Sequence, residues 1–137
     1  MKYMILLYGS QKAYDAMSGK TEDGAPVWSP EDFGKMGAFM ESYNNDLAES
    51  GEMVDTRALS APVLARRIQL QKGAQVVTDG PYPETQEVLA GYWVVDCESF
   101  DRATKVAARL LECPGPYTDY DGYVDVRPMV DSRSELV

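Results

Sequence analysis

A stiff, kinked segment, Asp79-Gly80-Pro81-Tyr82-Pro83-Glu84-Thr85, brings two carboxylates and a phenol together in a chain that contains no histidine. With no imidazole, the usual proton shuttle and the commonest transition-metal ligand are both missing, so proton transfer falls to carboxylates, phenols or a thiol. Pro81 and Pro83 fix φ and restrict the residues before them, which predicts that Gly80 and Tyr82 are extended and that Asp79 and Glu84 project from a firm support. Asp79 is the candidate general base and Tyr82 the candidate acid, with Glu84 as a second orienting carboxylate. The base role requires enough burial to lift the Asp79 pKa toward neutrality. The same residue types also make an ordinary proline-rich turn. An open pocket with an unpaired carboxylate fits the first reading, and a filled, exposed turn fits the second.

A second polar set comprises Arg57, Asp96, Asp125 and Arg127, which strand alternation puts on one sheet face. Arg57 or Arg127 would meet an anionic group of a ligand, and Tyr92 would wall it together with Tyr82. A structural Asp–Arg pairing between subunits satisfies the same residues. Cys97 stands at a strand end beside acids, where its pKa rises, so a packed, inert thiol is expected. Tyr117, Tyr120 and Tyr123, interleaved with Asp119 and Asp121, suit either a pocket mouth or an exposed loop. Asp119-x-Asp121 begins like a calcium loop, but the rest of that pattern is missing. The chain shows no phosphate-binding glycine loop, zinc spacing or serine-nucleophile elbow, so no metal or cofactor is expected.

These residues need elements to hold them. Residues 2–8 form a short apolar run that reads as a strand with both faces apolar. A polar stretch follows, with one helical turn expected at residues 13–17. Ser29-Pro30-Glu31-Asp32 then announces a helix: a serine cap, a proline at the first position, and acids in the first turn. Phe33, Met36, Met40, Tyr43 and Leu47 make its apolar stripe, read as core, and Gly51 ends it. Residues 52–59 read as a strand, 63–71 and 74–78 as a hairpin turning at Lys72-Gly73, and 91–97 as a further strand apolar on both sides. Ser99 caps a second helix with Phe100, Ala103, Ala107 and Leu110 inward, and a last strand spans 123–130.

Without the hairpin the order is strand, helix, strand, strand, helix, strand. That is the ferredoxin-like α+β pattern, helices on one face of an antiparallel sheet. Two strands that are apolar on both sides leave the second face in need of a cover, and a symmetric copy supplies one. The expectation is therefore a homodimer joined sheet to sheet.

At 137 residues one domain is expected, taken as residues 1–130 with a frayed tail at 131–137. A net charge of −9 with no basic cluster argues against direct binding to nucleic acid or a membrane. Two cysteines far apart in sequence, and an opening too short in apolar residues for a signal peptide, lead to a cytoplasmic expectation.

The opening Met1-Lys2-Tyr3-Met4-Ile5-Leu6-Leu7-Tyr8-Gly9, the phrase Thr78-Asp79-Gly80-Pro81-Tyr82-Pro83-Glu84-Thr85, Gly91-Tyr92 with Asp96, and Val124-Asp125-Val126-Arg127-Pro128 resemble the YCII-related family, in particular its DGPF-domain branch. The resemblance implies a dimeric α/β barrel. In one branch a His–Asp pair has been proposed as an active site, and with no histidine here only Asp79 corresponds to it. Some members are associated with alternative sigma factors, which the resemblance offers as a partner. Together these readings predict a homodimeric, regulatory or accessory protein that binds a small molecule near Asp79-Gly80-Pro81. The alternatives are a proton-transfer enzyme of lyase, isomerase or monooxygenase type that uses Asp79, and an interaction module for a sigma factor.

Overall fold

The computed structural model describes residues 1–21, 24–117 and 121–137. Among the described residues are six strands and three α-helices: β1 Lys2–Gly9, α1 Gln11–Met17, α2 Pro30–Ser50, β2 Met53–Ala58, β3 Arg66–Gln71, β4 Ala74–Asp79, β5 Val88–Asp96, α3 Phe100–Ala108 and β6 Val124–Pro128. Four strands make an antiparallel sheet in the order β2-β5-β1-β6, and β3 and β4 pair separately as a hairpin. This is the expected α+β, ferredoxin-like order with an inserted hairpin. The sheet of the single chain is open and does not close into a barrel.

Local chemistry fixes the ends of the helices. The Ser29 hydroxyl accepts from the Asp32 backbone N–H while the Asp32 carboxylate accepts from Ser29, and Gly51 stops α2 at φ 79°. Ser99 caps α3 in the same way by accepting from the Arg102 N–H. The polar stretch after β1 is more regular than expected: Ser10 caps a full α1 by accepting from the Ala13 N–H. After residue 130 a 3-10 turn at Arg133–Glu135 is held by Glu135, which accepts from the Asp131 and Ser132 N–H groups.

One face of the sheet carries the core. Tyr3 and Ile5 of β1 and Trp93 and Val95 of β5 are buried, together with Tyr43 and Leu47 of α2 and Ala103, Val106 and Ala107 of α3. Tyr43 is fully buried and its phenol donates to the Val106 carbonyl at 2.9 Å, which ties the two helices through their shared apolar layer. Phe100, expected inward, stays 46% exposed and instead meets Tyr3 edge-on at 5.3 Å. The opposite face carries Met4, Leu6, Tyr92 and Val94, whose register brings Met4 to Val94 and Leu6 to Tyr92. Arg127 lies opposite Met4 and Asp125 opposite Leu6 on β6, and Arg57 lies opposite Tyr92 on β2.

Where α2 runs into β2, Glu52 joins three elements. Arg102 of α3 grips its carboxylate with Nε at 3.0 Å and Nη2 at 2.8 Å, Ser50 donates at 2.9 Å, and the Cys97 thiol donates at 3.3 Å. The guanidinium and these donors hold the Glu52 pKa down at about 2, whereas burial and the neighbouring carboxylate push Cys97 up to about 11. Cys97 is thus a packed, inert thiol, as expected. A carboxylate whose folded pKa is depressed stabilises the fold above its unfolded value, and the effect is lost as pH falls from about 4.5 toward 2. Glu52→Gln should therefore cost about 2 kcal/mol at pH 7, an amount discounted for the half-exposed guanidinium, and the gap from the parent should close across that acid window. Urea unfolding of both proteins at several pH values measures it, and a gap that does not change with pH would contradict it.

Candidate functional site

The residues singled out in sequence do not converge. Asp79 ends β4 on the exposed hairpin, where its Oδ1 accepts from Arg66 Nε at 3.0 Å with both side chains at least 75% exposed. Tyr82 lies under the Arg67 guanidinium, 5.0 Å from ring centroid to Cζ, beside a shallow hollow of about 320 Å³ lined by Leu59, Ala61, Pro62 and Ala65. Glu84 is exposed, and it is its main-chain carbonyl that accepts from the Lys12 N–H at 3.0 Å. Tyr92 donates to Asp55 at 3.3 Å on the open sheet face, and Arg57 Nη1 binds the same Asp55 at 2.9 Å. Arg127 is exposed on β6, and Asp96 contacts the Met1 amino group at 3.1 Å. The burial that an Asp79 base requires is absent.

The segment's backbone also corrects the sequence reading. Gly80 is not extended: it has φ +54°, and its N–H donates to the Ala65 carbonyl at 2.8 Å. A Cβ there would stand 3.1 Å from the Val63 carbonyl oxygen, so the glycine is needed both for its backbone angle and for this close approach. The phrase Asp-Gly-Pro is therefore a turn that folds the base of the hairpin back onto residues 63–65.

A larger concavity lies elsewhere. Between the helices and the same sheet face as the core, a cleft of about 910 Å³ opens beyond Trp93. The sheet supplies Leu7 and Gly9 from β1, Thr56 and Ala58 from β2, and Gly91 from β5. From α2 come Met36, Met40 and Asn44, one residue per helical turn along a single line. Tyr14 and Met17 of α1, Trp28, and Leu110 and Cys113 after α3 complete the wall. Met40 also packs against the core, but Met36 and Met40 face a cavity, so the reading of the α2 methionines as closed core holds only in part.

Several polar groups of this cleft are anchored. The Trp93 indole N–H donates to Asn44 Oδ1 at 2.9 Å, and Tyr14 donates to the Leu59 carbonyl at 2.7 Å. Tyr8 and Tyr123 also line the cleft; Tyr8 donates to Asp125 of the open face at 2.8 Å, Tyr123 donates to Glu87, and the two rings stack at 5.5 Å. These carboxylate bonds raise the Tyr8 pKa and push Tyr123 up to about 12. Burial raises Tyr14 and Cys113 as well. Tyr117 and Asp121 also line the cleft, whereas Asp119 and Tyr120 lie outside the described residues. Among the described residues no group of acids and thiols is placed to hold a metal ion, and no helix is long and apolar enough to cross a membrane.

A ferredoxin-like α+β chain with this strand order and this inserted hairpin has known relatives. Residues 1–129 match the model of the YCII-related domain, and the chain belongs to that family. It is also 28% identical, over 129 residues, to an uncharacterized protein of Rhizobium meliloti (strain 1021), a match that spans 94% of this chain and 92% of the relative.

The exposure of Asp79 has a direct consequence. Asp79→Asn should shift unfolding stability by no more than about 0.5 kcal/mol, because a solvent-screened surface pair contributes little. A loss several times larger in urea titration would show that this carboxylate does structural work the geometry does not reveal.

Proposed function

We propose that this chain is a small-molecule-binding protein whose site is the cleft between α2, the sheet and the Trp28 and Cys113 segments, and that it acts as a homodimer. The observation that carries the reading is the cleft itself. Its volume of about 910 Å³ lies at the upper end of ordinary ligand pockets, and its walls are methionine, tryptophan and tyrosine with few polar groups. Methionine makes such walls adaptable. Binding rather than proton transfer is the better account, because Tyr8, Tyr14, Cys113 and Tyr123 are all moved further from neutrality. A proton-transfer enzyme using Asp79 gains no support from an exposed, paired carboxylate.

The test uses 1-aminoanthracene, an uncharged fluorescent probe at neutral pH. Both tryptophans of the chain line the cleft, so the probe should gain emission while quenching intrinsic fluorescence. Met36→Trp, which fills the cleft from a partly exposed position, should weaken binding about tenfold, the scale of one misfitted apolar group. Absence of saturable binding to the parent protein would refute the site.

The dimer rests on the open sheet face. Met4, Leu6, Tyr92 and Val94 form an apolar centre there, where a solvated face would carry polar residues. Charges of both signs flank it, Asp55 with Arg57 on one side and Asp125 with Arg127 on the other, so a two-fold axis brings like surface to like with opposite charges in reach. Light scattering at micromolar concentration should give twice the chain mass, and Leu6→Glu should halve it. A monomeric parent protein would refute this part alone.

A further inference from the structure

Asn44 carries information about what the cleft accepts. It stands one turn beyond Met40 on the cleft-lining row of α2, and its Oδ1 lies 2.9 Å from the Trp93 indole nitrogen. An indole N–H can only donate, so the Asn44 atom facing it must be the carbonyl oxygen, which leaves the amide NH₂ as the other end. Among the described residues that NH₂ has no hydrogen-bond partner. The amide orientation is thus locked by a buried tryptophan, and two donors are left on a side chain that lines a mostly apolar cavity. The hydroxyls nearby are differently employed: Thr56 donates to the Tyr92 carbonyl at 3.0 Å and Tyr14 to the Leu59 carbonyl at 2.7 Å.

The charges around the cleft narrow the choice further. Tyr8 and Tyr123 are held by Asp125 and Glu87, Arg57 is bound by Asp55, and the chain carries −9 overall. Among the described residues that line the cleft the one cation is Arg57, which Asp55 binds, so an anion would approach against the net field with no unpaired lining cation to receive it. Aromatic walls from Trp28, Trp93 and Tyr14 suit a flat ring system, and an uncommitted amide donor suits a neutral acceptor oxygen.

We infer that the cleft takes a neutral, ring-bearing ligand with a carbonyl-type oxygen, and that Asn44 Nδ2 is the specificity-determining donor to that oxygen. This rests on the cleft being a binding site, and the test separates the two. With 1-aminoanthracene bound at pH 8, 2-acetylnaphthalene and 2-ethylnaphthalene are compared as displacing ligands for the parent protein and for Asn44→Asp. The aspartate still accepts from the Trp93 indole but has no donor to offer. The ratio of the two displacement constants should shift by about tenfold against the ketone, while the hydrocarbon constant changes less than about twofold. Asn44→Leu, which loses the indole acceptor as well, should shift the ratio the same way and serves where the aspartate variant does not fold. An unchanged ratio in a folded variant overturns the role of Asn44 and leaves the site standing. Tighter displacement by 1-naphthylmethylammonium than by the ketone overturns the neutral-ligand inference. A probe that fails to bind the parent protein removes the site and this inference together.

Discussion

Two helices of unequal length share one sheet, and the cleft follows from that inequality. The 21 residues of α2 extend about 31 Å, enough to run the length of the eight-residue β1, whereas the nine residues of α3 extend about 14 Å. Where both helices lie over the sheet, Tyr43 and Leu47 meet Ala103, Val106 and Ala107, and the layer is closed. Beyond them α2 continues and α3 gives way to a 3-10 turn at Arg109–Glu112. The remaining sheet surface around Leu7 and Gly91 is then walled by α1, Trp28 and the chain after Leu110, which stand around a void instead of filling it.

Trp93 marks the boundary between these two regimes. Its ring meets Tyr43 edge-on at 5.7 Å on the core side, and its N–H is held by Asn44 at the start of the cleft. A tryptophan buried at this junction needs a partner for its only polar atom, and a fully apolar neighbour at position 44 would leave that donor stranded. The polar residue in the α2 stripe is therefore required by the core as much as by the cavity. One consequence is rigidity: a side chain fixed from behind presents its other end in a set position, which is what selective recognition needs.

Much of this architecture was legible in the sequence because it is locally encoded. Ser29-Pro30-Glu31-Asp32, Gly51 and Ser99 specify helix ends through bonds to neighbouring residues, and the apolar runs at β1 and β5 specify strands through length and composition. The site was not legible in the same way. Asp79, Tyr82 and Glu84 draw attention because they are close in sequence and stiffly held, yet Asp79 is exposed and tied to Arg66 across the hairpin. Gly80 escaped the rule for residues that precede proline because that rule acts through a Cβ which glycine lacks. The cleft, in contrast, draws on residues from Leu7 to Val124, and no local spacing announces it. The one available signal was an asparagine in line with Met36 and Met40, a polar break in an apolar row that a closed core would not favour.

The two faces of the sheet thereby keep apart two surfaces, the cleft and the open apolar face. Tyr3, Ile5, Trp93 and Val95 point to the helices and build both the core and the floor from which the cleft begins. Met4, Leu6, Tyr92 and Val94 point the other way and touch neither. Because side chains alternate along a strand, a change on the open face leaves the lining of the cleft in place, and a change in the lining leaves the open face intact. Register couples them only through the backbone. Gly91 is where that coupling is tightest: it is buried against the Arg57 carbonyl oxygen, which a Cβ would approach to 3.0 Å, so β2 and β5 lie close between the cleft on one side and Asp55, Arg57 and Tyr92 on the other. A side chain at position 91 would crowd β2 and disturb both surfaces at once, which makes this glycine the point at which the proposed ligand site and the proposed interface share a structural requirement.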